Sequence, residues 1–143
     1  MKLALEDQAI HEIQSDCLVL GFTEGGAMTP SARRVDAVSG GAIGRLLESR
    51  DIQTAIGKTQ FLHGVPGLAT ARVLAVGFGK QDKLDLPRFD RACLAAGKAL
   101  RDHPLTSCHV CLHELEFGET GPGQRLRQAA LAIHRANYLY TVT

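Results

Sequence analysis

Gly57–Lys80, GKTQFLHGVPGLATARVLAVGFGK, holds two β-prone runs, Thr59–Val65 and Ala71–Phe78, with Pro66-Gly67 turn chemistry between them. The second run is almost continuously apolar through Val73, Leu74, Ala75 and Val76 before it reaches Gly77-Phe78-Gly79. A strand with one wet face alternates polar and apolar residues; one that is apolar on both faces is covered on both. The stretch therefore predicts a three-layer α/β/α domain around a mixed, largely parallel sheet.

Working outward, strands and helices alternate, as such a sheet requires. Residues 2–5 read as a first strand and Cys17–Phe22 as a second, buried one that ends in a Gly25-Gly26 turn. Thr29-Pro30 is a helix start, Thr29 the N-cap and Pro30 the first helical residue. Val35, Val38, Ile43, Leu46 and Leu47 continue a helical stripe that Ser39-Gly40-Gly41 interrupts, which predicts two short helices. Asp85 caps a helix beginning near Pro87 and ending before His103-Pro104, with Phe89, Ala92, Cys93, Ala96 and Leu100 facing inward. Cys108–Leu115 reads as a strand and Gln124–Tyr138 as a last helix, with Leu126, Ala129, Ala130 and Ile133 inward. The apolar, β-prone end Asn137–Thr143 reads as a chain that continues into something longer.

At 143 residues, 45% hydrophobic and 22% charged, the chain is expected to form one soluble domain with one core. Its apolar runs are of strand length, too short to cross a membrane, and the N-terminal MKLALEDQ meets acidic residues too early for a signal peptide. A cytoplasmic setting is the expectation. The net charge of +1 lacks the basic excess of a dedicated nucleic-acid module. Arg33, Arg34, Arg45, Arg50, Arg125 and Arg127 read as scattered solvated residues, with a local basic patch as the alternative.

Cys108 and Cys111 have the C-x2-C spacing of half a zinc site. On a strand, residues three apart point to opposite faces, and no second half-site accompanies the pair, so all four cysteines read as buried free thiols, the alternative being a knuckle that breaks the strand and restores the site. His109, Cys111 and His113 would then share one strand face, a stripe to which no role is assigned. Enzymatic signatures are missing: there is no H-E-x-x-H, G-x-S-x-G or Walker A loop. Gly77-Phe78-Gly79 opens like a dinucleotide loop, but Asp82 stands where that fingerprint needs glycine or alanine. His63 reads as a packed or edge histidine, and the acidic residues do not cluster. No catalytic, cofactor-binding or metal-binding residue is assigned.

Gly57-Lys58-Thr59 opening a strand, the Ala71–Lys80 strand ending Gly-Phe-Gly-Lys, a helix carrying Arg88, Arg91 and Ala92-x4-Gly97, and the closing Ala136-Asn137-Tyr138-Leu139-Tyr140-Thr141 recur together in one family. In their order and spacing the chain resembles the N-terminal domain of the leucyl aminopeptidases, the cytosolic two-metal peptidases called aminopeptidase A in bacteria. The resemblance implies a macro-domain-like α/β unit over residues 1–136, with 137–143 beginning a linker to a catalytic domain. It also implies that the two divalent metals (manganese or zinc), a catalytic lysine and arginine and the Asn-Thr-Asp-Ala-Glu-Gly-Arg motif belong to that other domain. None of these matches a position in this chain, so the chain alone is expected to be inactive. Its partners would be its own catalytic domain and, in a hexamer, copies of itself, with roles in assembly and active-site access. DNA is a further partner known in some bacterial members.

One alternative reading is a macro-domain-type module for ADP-ribose or a related nucleotide. Gly25-Gly26, Val35-Asp36-Ala37 and Gly40-Gly41 resemble its glycine-rich loop and helix, although Phe22-Thr23-Glu24 offers no clear ligand-binding aspartate or asparagine. A second alternative, a DNA-binding regulatory domain, rests on the arginines.

Overall fold

The computed structural model describes residues 2–4, 12, 14–25, 27–103, 105 and 107–141. Five strands, β1 (Lys2–Ala4), β2 (Cys17–Glu24), β3 (Thr59–His63), β4 (Arg72–Lys80) and β5 (Ser107–Val110), form one sheet in the order β1-β5-β2-β4-β3. The β1–β5, β5–β2 and β2–β4 pairs are parallel, and the β3–β4 hairpin is antiparallel, so the sheet is mixed and largely parallel as predicted. Among the described residues, four helices cover it: α1 (Pro30–Val38), α2 (Ala42–Glu48), α3 (Leu86–Arg101) and α4 (Pro122–Thr141).

The two-sided burial expected of β4 is present in both central strands. Cys17 and Val19 of β2 and Leu74, Val76 and Phe78 of β4 pack with α3 and α4. Leu18, Leu20 and Phe22 of β2 and Val73 and Ala75 of β4 pack with Ala32 and Val35 of α1 and Ile43 of α2. These period-two sets make the three layers. On the α3/α4 side, Phe89 sits between Phe78 and Phe117, with ring centroids 5.5 and 5.1 Å away.

Local chemistry places the helices. Thr29 Oγ1 accepts from the Ala32 amide at 3.3 Å with Pro30 at the first helical position, and Asp85 Oδ1 accepts from the Arg88 amide at 3.0 Å. Gly40 and Gly41 have φ of 70° and 84° and turn the chain from α1 into α2. Asp36 Oδ1 then takes the Gly44 amide at 2.8 Å. The Val35-Asp36-Ala37 and Gly40-Gly41 sequence is therefore a helix–helix corner at the far end of α1.

Gly77 and Gly79 have a different task. Segment 53–58 crosses the end of β4: Gly57 N donates to Gly77 O (3.0 Å), Gly77 N to Lys58 O (2.8 Å) and Gly79 N to Thr54 O (2.8 Å). A Cβ on Gly77 would overlap the Ala55 carbonyl oxygen and lie 2.8 Å from the Thr54 carbonyl carbon. These glycines admit a neighbouring backbone, a task of backbone geometry in keeping with the dinucleotide fingerprint that Asp82 breaks.

Three expectations need correction. The strand read over Cys108–Leu115 ends at Val110; Leu112–Glu114 is a 3-10 turn that sends Leu112 and Leu115 into one core, so His109, Cys111 and His113 form no strand stripe. The inward face of α4 is Arg125, Ala129, Ala132, Ile133 and Ala136, while Leu126 and Ala130 are only half-buried. α4 also runs on through Thr141, so the β-prone reading of Asn137–Thr141 gives way to helix. Leu5, Gly26, Pro104, Val142 and Thr143 lie outside the described residues.

Candidate functional site

The connection leaving β2 passes through α1 on one face of the sheet, and the connections leaving β4 and β5 pass through α3 and α4 on the other. In open α/β sheets this divergence opens a crevice outside the carboxyl ends of the strands, the usual place for a ligand. A crevice is present here. Its larger part, about 530 Å³, lies between the start of α1 (Met28–Pro30, Arg33) and the β5–α4 connection (His113–Glu116, Arg125). A neighbouring hollow of about 460 Å³ lies between Glu24-Gly25 and Lys80–Asp82, and Gln81 lines both.

The β5–α4 connection is pinned at three points. Glu114 reaches across 83 positions of sequence to the start of α1, where Oε1 accepts from the Ser31 amide at 2.9 Å and Oε2 from the Ser31 hydroxyl at 2.6 Å. Arg125, 4% exposed, donates from Nε to the His113 carbonyl at 2.7 Å and from a terminal nitrogen to the carbonyl and hydroxyl of Thr120. Gln81 Nε2 donates to the Glu116 carbonyl at 2.7 Å. Arg125, read from sequence as one of a set of surface arginines, is thus a buried brace, and Arg127 on α4 lies across the sheet from Arg33, Arg34 and Arg45. The six arginines do not make one patch.

His113 Nδ1 is buried without a hydrogen-bond partner. Burial holds its pKa below the usual histidine value; Glu114 opposes that shift and Arg125 adds to it. The imidazole is therefore neutral near pH 7. His63 is an exposed residue at the end of edge strand β3, as expected.

The thiols are where the sequence put them. Cys108 faces the α3/α4 core and Cys111 the α1/α2 core, so the C-x2-C pair is split by the sheet. Cys17 is instead the neighbour of Cys108, directly opposite in parallel register. Burial pushes Cys17 up to about 12, with Cys108 adding to the shift, and burial pushes Cys108 to about 11, Cys111 to about 12 and Cys93 up as well. Protonated thiols are poor metal ligands and poor nucleophiles. Among the described residues, no three His, Cys, Asp or Glu side chains are grouped to hold a metal.

Sequence reasoning missed Glu114 and misplaced Arg125, the two residues that shape the crevice. No local pattern links positions 83 apart, and an arginine four residues into an amphipathic helix looks like a surface residue.

Among the described residues, no helix is long and apolar enough to cross a membrane. Solved structures share the fold, two of them as follows. The macrodomain of Mycobacterium tuberculosis DarG superposes with a TM-score of 0.68 at 11% identity, over 94% of this chain and 91% of that one. The bottromycin maturation enzyme BotP superposes with a TM-score of 0.59 at 20% identity, over 85% of this chain and 23% of that one. The fold is thus macro-domain-like. Probable cytosol aminopeptidases are similar in sequence: that of Acidithiobacillus ferrooxidans is 44% identical over 101 residues, which is 71% of this chain and 20% of that protein. That of Xylella fastidiosa is 31% identical over all 143 residues, 29% of its length, and that of Burkholderia thailandensis 34% identical over 128 residues, 90% of this chain and 25% of that protein. The chain therefore spans less than a third of the length of these relatives. The family model described as the cytosol aminopeptidase family, N-terminal domain, matches residues 19–143, and on that match the chain belongs to this family as its N-terminal domain.

Proposed function

We infer that this domain is the non-catalytic part of a two-metal exopeptidase that releases N-terminal amino acids in the cytoplasm, and that it aids hexamer assembly and access to the catalytic cavity. One observation carries the reading: the family match runs from residue 19 to residue 143, within the first domain of a much longer kind of enzyme. The state of this chain's own reactive groups agrees with it. The thiols are protonated, and Arg125 spends its guanidinium on main-chain and Thr120 oxygens. The two metals, manganese or zinc, would be held by the catalytic domain, with residues 137–143 leading into it.

The test compares three proteins: the full-length polypeptide, the same polypeptide lacking residues 1–136, and this chain alone. Light scattering should give a hexamer only for the first, and kcat/KM on leucyl substrates should change on truncation. The 143-residue chain should hydrolyse no leucyl substrate with or without manganese. Clear turnover by this chain, or an unaltered hexamer with unaltered kinetics after truncation, would refute the assignment.

A further inference from the structure

We propose that Glu114 is an internal anion that closes the carboxyl-edge crevice to phosphate-bearing small molecules. The inference stands apart from the assembly role and rests on a count of donors at the start of α1. A helix N-terminus beside a switch-point crevice presents free amides and a positive dipole end, which is what a phosphate needs. In α1 the amides of residues 30–33 are spent. Pro30 has no N–H, the Ser31 amide and hydroxyl both go to Glu114, the Ala32 amide goes to Thr29 Oγ1, and the Arg33 amide goes to the Thr29 carbonyl at 2.9 Å.

The carboxylate that fills this place is held from behind. Glu114 ends a 3-10 turn whose flanking Leu112 and Leu115 are core residues, and the carbonyl of its neighbour His113 is braced by buried Arg125. An incoming phosphate would have to expel a tethered carboxylate and shift that turn. The charges on the crevice wall are mixed, Arg33 and Lys80 standing beside Glu24, Asp82 and Glu116, and Arg125 has already committed donors to protein oxygens. What Glu114 closes is the place at the start of α1, where the free donors of a helix end would otherwise face the crevice.

The test follows the Ser31 and Ala32 amides of 15N-labelled chain by NMR during titration with inorganic phosphate and then pyrophosphate, chloride being exchanged out to keep ionic strength constant. Melting temperature is read in parallel. In the wild type both amides should stay still up to about 20 mM phosphate, where weak helix-end anion sites would begin to fill. In Glu114→Ala the Ser31 amide should shift saturably, and phosphate should raise Tm by a few degrees above the chloride control. Glu114→Ser, which keeps a polar group in the turn, serves if the alanine variant does not fold. A saturable Ser31 shift in the wild type overturns the proposal with no variant needed. So does a folded variant that titrates no differently from the wild type.

Discussion

Gly77 is where a single residue's chemistry is most sharply defined. Its amide and carbonyl are both bound by segment 53–58, at 2.8 Å to Lys58 O and 3.0 Å from Gly57 N, and that segment lies where a Cβ would be. Because the obstruction is backbone on both sides, no side-chain rotation relieves it. Gly77→Ala should therefore cost about 2–3 kcal/mol in urea unfolding, the scale of core overpacking. Gly121 is the control: it has nothing within 4 Å of its would-be Cβ and no positive φ, so Gly121→Ala should fall within about 0.5 kcal/mol of the wild type. Equal effects at the two positions would mean that the close approach of segment 53–58 is not what Gly77 serves. From the sequence, Gly-Phe-Gly could be read only as a failed dinucleotide loop; the backbone that approaches it was not legible. That depends on hydrogen bonds from segment 53–58, which no local pattern encodes.

At the scale of elements, α3 and α4 show what sets a helix face. They approach closely at Gly97, where a Cβ would lie 2.7 Å from Ala136 Cβ and 2.9 Å from Ile133 Cα. Small residues must line that contact, so Ala132 and Ala136 are buried while Leu131 stands 60% exposed on the opposite side. Ala132→Leu should consequently destabilise by about 1–3 kcal/mol, and Leu131→Gln should change stability by no more than about 0.5 kcal/mol, by denaturant unfolding. The reverse order would show that the helix is rotated from the position described. Elements whose pattern admits one solution were legible from sequence: β4 is apolar on both faces, and α3 has a cap, a first-turn proline and a regular stripe, all of which hold. Where two solutions fit, the reading failed. Leu112 and Leu115 suit either the end of a strand or an i,i+3 turn, and the turn prevails because it delivers both leucines to one core. In α4 the inward Arg125 disguised the true face, since a guanidinium is buried only when oxygens from elsewhere in the fold satisfy it.

For the molecule as a whole, no crevice was legible in the sequence. The alternation of strands and helices implies a carboxyl edge, but its contents come from the Glu114–Ser31 and Arg125–His113 contacts, which exist only once the chain is folded. The same long-range burial sets limits on stability at both ends of the pH scale. His113 has a lowered pKa in the fold, so the unfolded chain binds its proton first as pH falls below the ordinary value of 6.5. Protonation then favours unfolding, and stability should decline from about pH 6.5 down to the folded pKa, with this contribution fully present above that window. The cysteines act in the opposite direction. Their unfolded thiols ionise from the ordinary value of 9.0, while Cys17, Cys108 and Cys111 stay protonated in the fold up to about 11–12. Stability should hold below pH 9 and fall above it, by up to about 1.4 kcal/mol per pH unit for each thiol ionised only in the unfolded chain. Urea unfolding at intervals from pH 5 to pH 10.5 measures both limbs, and two variants assign them. His113→Gln should flatten the acid limb and leave the alkaline one, and Cys17→Ala should reduce the slope above pH 9 and leave the acid limb. If His113→Gln loses stability below pH 6.5 as steeply as the wild type, the imidazole is not the group that titrates. An alkaline slope unchanged by Cys17→Ala would likewise place that thiol outside the core.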